Sequence, residues 1–222
     1  MAKIKAVLFD LDNTLVDFMK MKRLSSEAAV SAMVNAGLGL DENAAMERLF
    51  KLYEEQGIEN QSIFEVFLKK EMGKVDYKIL SEAIVAYRRV KTGQLSTYPR
   101  VHSTLIRLKE RGLKLGIVSD APKKQAWLRL AEMSLSDFFD VVIALEDTGE
   151  LKPSELPFKQ ALKVLGLSAE EILFVGDNPS RDIAGAKKVG MKTALAKYGQ
   201  VVSGGEKADF ELEGISGILS IV

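Results

Sequence analysis

The tightest constraint on this chain is the stretch Ile4 to Thr14, IKAVLFDLDNT, an apolar run that ends abruptly in two carboxylates one residue apart. Ile4, Ala6, Val7, Leu8 and Phe9 include β-branched and aromatic members, and such a run reads as an interior parallel strand covered on both faces. Asp10 and Asp12 are too polar to remain in that sheet. Residues i and i+2 of an extended chain face the same side, so both carboxylates can converge on one small volume past the strand's carboxyl end. Open α/β sheets bind ligands there. An ordinary acidic turn is the bland alternative, because Asp and Asn are common turn formers. With 12 Asp and 6 Thr in 222 residues, composition alone yields a D-x-D-x-T pattern roughly 0.02 times per chain, so chance is a poor account of it.

From about Leu15 to Leu95 the pattern changes to long, charged, helical periodicity. Apolar positions within Glu27–Ala36, Ala44–Tyr53, Ile63–Met72 and Ile79–Val90 predict about four helices. They are divided by Gly37-Leu38-Gly39 with Asp41 as an N-cap, by Gly57, by Gly73 with Asp76, and by Gly93. Strand–helix alternation resumes at Tyr98. Pro99 is expected in the first turn of a helix running to Gly112, and Leu113 to Val118 is a second strand ending in Ser119-Asp120. Pro122 opens the next helix, whose free N–H groups are expected to point back toward Ser119 and favour an anion. Asp140 to Leu145 reads as a third strand, followed by a polar loop with Lys152-Pro153 and a helix from about Glu155 to Leu165. Ser168 and Glu171 have capping-box spacing just before a fourth strand, Ile172 to Val175, which ends in Gly176-Asp177-Asn178-Pro179-Ser180-Arg181-Asp182. A small-residue helix over Ile183–Val189, a fifth strand over Lys192–Ala196 and a short sixth over Phe210–Leu212 complete the pattern. The loop from Gly199 to Lys207 receives no role. The expected fold is α/β, a doubly wound parallel sheet formed by residues 1–15 and 96–222, with an inserted all-helical cap over residues 16–95 that serves as a lid.

Lys plus Arg equals Asp plus Glu at 31 each, so neither nucleic acid nor an anionic membrane is favoured as a partner. The absence of cysteine excludes disulfides, thiolate metal sites and cysteine nucleophiles. The amino terminus leads straight into the first strand without a signal segment, and no apolar run approaches the roughly 18 residues that span a bilayer. The expectation is a soluble cytoplasmic protein, either monomer or homodimer.

Strand ends thus supply Asp10 and Asp12, Ser119 and Asp120, and Asp177 with Asp182, while Lys152 follows the third strand. In a doubly wound sheet these ends share one edge. Clustered carboxylates need a cation, and an all-oxygen set suits a hard ion such as Mg²⁺. With that charge neutralised, Asp10 could attack an electrophile that tolerates negative charge, phosphorus above all. Ser119, Lys152 and the helix start at Pro122 would then hold the phosphoryl oxygens.

Asp10-Leu11-Asp12-Asn13-Thr14, Ser119, Lys152-Pro153 and Gly176-Asp177 to Asp182 together resemble the four motifs of the haloacid dehalogenase superfamily, in order and at similar spacing over nearly the whole chain. The likeness is greatest to its small archaeal-type phosphatases with a helical cap, some of which are assigned to glyceraldehyde 3-phosphate. The resemblance implies that Asp10 is the nucleophile, forming an aspartyl-phosphate, and that Asp12 is the acid and base that protonates the leaving alcohol and later activates water. It implies Mg²⁺ held by the Asp10 carboxylate, the Asp12 backbone carbonyl and Asp177, with Asp182 in support. Ser119, Asp120 and Lys152 would face a small phosphorylated substrate, and Thr14 would brace the loop. Members that cleave carbon–halogen bonds lack an equivalent of Asp12, so its presence argues for a phosphatase over a 2-haloacid dehalogenase. A phosphomutase remains the other enzymatic alternative, and a receiver-like phosphoaspartate signalling module the non-enzymatic one. Arg181 departs from the Asn or Ser that often precedes the final Asp.

Overall fold

Ala6–Phe9 form strand β1, and all four side chains are fully buried, as expected where helices cover both faces of a parallel sheet. The computed structural model describes residues 3–222. After β1 come four helices, α1 (Phe18–Ala36), α2 (Glu42–Gln56), α3 (Ile63–Met72) and α4 (Tyr77–Gln94), and then α5 (Val101–Glu110). Strand β2 (Lys114–Val118), helix α6 (Lys123–Glu132), strand β3 (Val141–Ile143), the short α7 (Leu145–Thr148) and α8 (Glu155–Leu165) follow. The chain closes with β4 (Ile172–Gly176), a π-helical turn over Pro179–Ile183, α9 (Ala184–Lys188), β5 (Lys192–Ala196) and β6 (Phe210–Leu212).

The strands lie in the order β3-β2-β1-β4-β5-β6, and every neighbouring pair is parallel. The chain winds outward from β1 through β2 to β3, then returns to the other side of β1 with β4. The order therefore reverses between β1 and β4, and a crevice opens at the carboxyl ends of strands at such a reversal. Phe9 sits in register with Val175, and the Asp10 N–H continues the ladder to the Val175 carbonyl at 2.8 Å. Whatever follows β1 and β4 is held side by side.

The chain divides into two compact units, residues 18–95 and the remainder. In the unit built on the sheet, one cluster of buried side chains surrounds Leu8, Val118, Phe158 and Phe174, where the two phenylalanine rings meet edge to face at 5.0 Å. The unit of α1 to α4 has its own core, with Val30, Met33, Leu49, Leu52, Phe67 and Leu68 buried. Lys22 is buried there too, its Nζ 4.1 Å from the Tyr53 ring centroid and 5.4 Å from that of Tyr87, a cation–π arrangement. No helix among the described residues is long and apolar enough to cross a membrane.

Four local expectations are corrected. Helix α1 starts at Phe18 and runs through Ser25 and Ser26, the Ser25 hydroxyl bonding back to the Met21 carbonyl at 2.7 Å. Gly93 does not end α4, which continues to Gln94. Pro99 precedes α5 instead of opening it, because the Tyr98 N–H is tied to the Leu15 carbonyl at 3.0 Å and Arg100 then turns with φ 67°. Strand β3 stops at Ile143, since the Asp147 carboxylate accepts the Ala144 N–H at 2.9 Å and starts α7.

Candidate active site

Asp10 is the first residue beyond β1 and is buried. After it the backbone turns sharply: Asn13 takes φ 60°, its N–H donates to the Val16 carbonyl at 2.7 Å, and the Leu15 N–H returns to the Leu11 carbonyl at 2.9 Å. The expected brace at Thr14 takes an unexpected form. The Thr14 hydroxyl has no hydrogen-bond partner among the described residues, whereas its carbonyl accepts the Tyr198 hydroxyl at 2.8 Å. The loop after β5 also packs tightly here, because a Cβ at Gly199 would run into the Asn13 carbonyl. Part of the segment without an assigned role thus buttresses the turn that carries the two carboxylates.

Lys152 reaches this point from the loop after α7, and its peptide bond to Pro153 is cis. Its ammonium contacts Asp10 Oδ1 at 2.6 Å, Asp182 Oδ1 at 2.8 Å and the Val118 carbonyl at 2.9 Å, which accounts for all three of its donors. Burial alone would make this ammonium easier to deprotonate, but the charges of Asp10 and Asp182 outweigh that and hold it firmly protonated. Asp120, expected on the substrate, accepts the Lys152 backbone N–H at 2.9 Å through Oδ1 and meets Arg181 Nε at 3.3 Å through Oδ2. Ser119 is buried, and its hydroxyl accepts the Ala121 N–H at 3.1 Å. The start of α6 is not wholly open to an anion as expected, because the Lys123 N–H already donates to Glu146 Oε2 at 2.6 Å.

Asp10, Asp177 and Asp182 offer carboxylate oxygens all within 4.8 Å of one another, and all three residues are buried. Burial, then the charges of Asp10 and Asp182, push the Asp177 carboxyl up to about 8. Burial likewise raises Asp10 above the ordinary carboxylate range, against the pull of Lys152. Asp182 goes the other way: Lys152 and Arg181 overcome its burial and keep it ionised. Arg181 spans the group, with Nη2 3.3 Å from Asp10 Oδ2 and 3.6 Å from Asp177 Oδ1. Asp177 Oδ1 is buried without a hydrogen bond. A buried, incompletely satisfied trio of hard oxygen donors fits a divalent cation. Asp182 is the most fully engaged of the three, since its Oδ2 also accepts the Asn178 N–H at 3.0 Å.

The sequence profile of the haloacid dehalogenase-like hydrolases matches residues 7–196. The chain belongs to that family. Among its relatives, a glyceraldehyde 3-phosphate phosphatase of Methanocaldococcus jannaschii is 36% identical over 221 residues, 99% of this chain and 97% of the relative. A protein of the same name from Pyrococcus abyssi is 38% identical over 197 residues, 89% of this chain and 83% of its own. A solved HAD phosphatase of Thermococcus onnurineus superposes with a TM-score of 0.68 at 29% identity, covering 98% of this chain and 97% of the other.

Two residues at this haloacid dehalogenase-type site escaped the reading of the sequence. Asp12 stays out of the carboxylate trio, and its Oδ2 accepts a charge-assisted bond from Arg129 Nη1 at 2.8 Å. Arg129 is 3% exposed. The available signal was its position on α6, three residues after Ala126 and next to Leu130, on the stripe that the helix buries. Tyr198 is the other, and a lone Tyr after a strand carries no such signal.

Proposed function

We propose that the protein is a Mg²⁺-dependent phosphatase acting on a small phosphorylated metabolite through an aspartyl-phosphate on Asp10. The observation that carries this reading is the convergence of Asp10, Asp177 and Asp182 with Lys152 and Arg181 at the point where the strand order reverses. Asp10 and Asp177, with the Asp12 backbone carbonyl, would hold the ion, and Asp182 would support them. When bound, it supplies positive charge against the phosphoryl oxygens and offsets the repulsion among the carboxylates.

An Asp10 carboxylate oxygen attacks phosphorus, and the bond to the substrate alcohol breaks as Asp12 gives the departing oxygen a proton. Water then attacks the aspartyl-phosphate, Asp12 takes back a proton, and phosphate leaves with Asp10 regenerated. This splits one displacement into two easier ones. Lys152 fixes the Asp10 carboxylate by its 2.6 Å contact, and its charge would offset the negative charge of the phosphoryl oxygens. The Ser119 hydroxyl and Arg181 supply further donors, and loss of one such contact typically slows turnover about 10²- to 10³-fold.

The names of the archaeal relatives make glyceraldehyde 3-phosphate the first substrate to try. A panel of phosphorylated trioses, sugars, amino acids and nucleotides assayed with Mg²⁺ should show phosphate release, highest for a short alkyl phosphate. Folded, metal-replete Asp10→Asn should release none above background. Normal turnover by that variant would end the proposal. Phosphoryl transfer to a second hydroxyl would make the enzyme a phosphomutase instead.

A further inference from the structure

The chemistry set out above makes no use of Arg129. A buried guanidinium requires a partner, and a buried ion pair is often no more stabilising than well-packed apolar side chains in its place. Stability alone therefore gives little reason to put a cation on the stripe of Ala126 and Leu130.

The distribution of cations supplies a reason. Lys152 and Arg181 both contact Asp10 and Asp182. Asp12 lies two residues from Asp10, yet it is bonded to a different cation, Arg129, carried by a different helix. Two carboxylates so near in sequence are thereby drawn to opposite partners, and the Asp12 carboxylate is held outside the trio. A short charge-assisted bond to one carboxylate oxygen also fixes which way the group faces.

We propose that Arg129 is a positioning residue for Asp12: by engaging Oδ2 it fixes the carboxylate so that Oδ1 passes the proton to the leaving oxygen and takes one from the attacking water. The inference rests on the reading of Asp12 as the acid and base.

Departing groups with different proton demands test this. An alkoxide leaving group must be protonated, whereas p-nitrophenolate leaves without a proton. kcat/KM for glyceraldehyde 3-phosphate and for p-nitrophenyl phosphate is to be measured for the wild type, Asp12→Asn, Arg129→Gln, Arg129→Lys and the double variant Asp12→Asn/Arg129→Gln. General acid catalysis is worth at least about 10²-fold, so Asp12→Asn should lose that much on the alkyl phosphate and only a few-fold on the aryl one. Arg129→Gln should show the same selectivity at about 10-fold or more, because misplacing a catalytic group is costly. Arg129→Lys, which retains the charge, should recover part of the loss. The double variant should be no worse than Asp12→Asn.

Equal losses on both substrates for Arg129→Gln, or a double loss equal to the product of the single losses, would overturn the role of Arg129 while leaving Asp12 as acid intact. No selectivity in Asp12→Asn would remove both. Should Arg129→Gln fail to fold, Arg129→Lys carries the test, since a purely structural role predicts a loss shared by both substrates.

Discussion

Gly176 ends β4 where no side chain fits: a Cβ there would lie 2.5 Å from the Cβ of Asp182. The glycine lets Asp182 fold back against the strand end, receive the Asn178 N–H and present Oδ1 to Lys152. Gly176→Ala should therefore push Asp182 away, destabilise the protein by about 1–3 kcal/mol and reduce turnover. Thermal melts and phosphate-release assays on the same preparation check both effects, and an unchanged rate would mean that the placement of Asp182 is unimportant. Individual residues differed in how readily they could be found from the sequence. Asp10, Ser119 and Asp177 each follow an apolar run, and the physics that ends a buried strand in a polar residue is local. Arg129 and Tyr198 act across the fold, Tyr198 reaching Thr14 over 184 positions. Tyr198→Phe should cost about 1 kcal/mol, the value of one ordinary hydrogen bond, measurable by denaturant melts.

Helix ends were legible where the cap is encoded nearby. Helix α8 runs from Glu155 to Leu165 as expected, because Ser154 caps its start and Gly166, at φ 66°, closes its end. The starts of α2 and α4 follow Asp41 and Asp76, whose carboxylates accept first-turn N–H groups at 3.0 Å. The start of α5 was not legible because a distant partner, Leu15, holds Tyr98, whereas β3 ends early because a local cap, Asp147 on the Ala144 N–H, overrides the apolar run. Asp76→Ala should cost about 1 kcal/mol of stability, read as a lowered denaturant midpoint. The capping box before β4 gives a pH-dependent case. Lys5, then Ser168, hold the Glu171 carboxyl down at about 2, below its usual 4.5. A depressed carboxyl contributes stability above its unfolded value and loses it as pH falls through its folded one. Glu171→Gln should thus melt slightly below the wild type at pH 7, and the gap should close as the pH falls from about 4.5 to about 2. A gap independent of pH would leave the box without an electrostatic contribution.

At the scale of the whole molecule, the carboxylate trio sets stability against function. Asp10, Asp177 and Asp182 are buried within 4.8 Å of one another at the centre of the sheet's carboxyl edge, and Lys152 and Arg181 offset only part of that charge. A cation that binds only the folded chain adds RT ln(1 + [L]/Kd), about 2.7 kcal/mol at a hundredfold excess over Kd. For a protein of this size each kcal/mol moves Tm by about 2–4 °C, so Mg²⁺ at that excess should raise the wild-type Tm by about 5–10 °C, and a chelator should abolish both the shift and the activity. Asp177→Asn removes one of the competing charges together with a proposed metal ligand, and its two effects are expected to have opposite signs. In chelator at pH 8.5 the variant should melt above the wild type, because less negative charge is confined in the crevice. With saturating Mg²⁺ the order should reverse, since the wild type gains the full binding term and the variant gains little. Differential scanning calorimetry of both proteins with and without Mg²⁺ gives the four Tm values needed. Equal Mg²⁺ shifts in the two proteins would mean that Asp177 is not where the ion is held, and a variant that melts below the wild type in chelator would mean that crowding of negative charge does not destabilise the crevice.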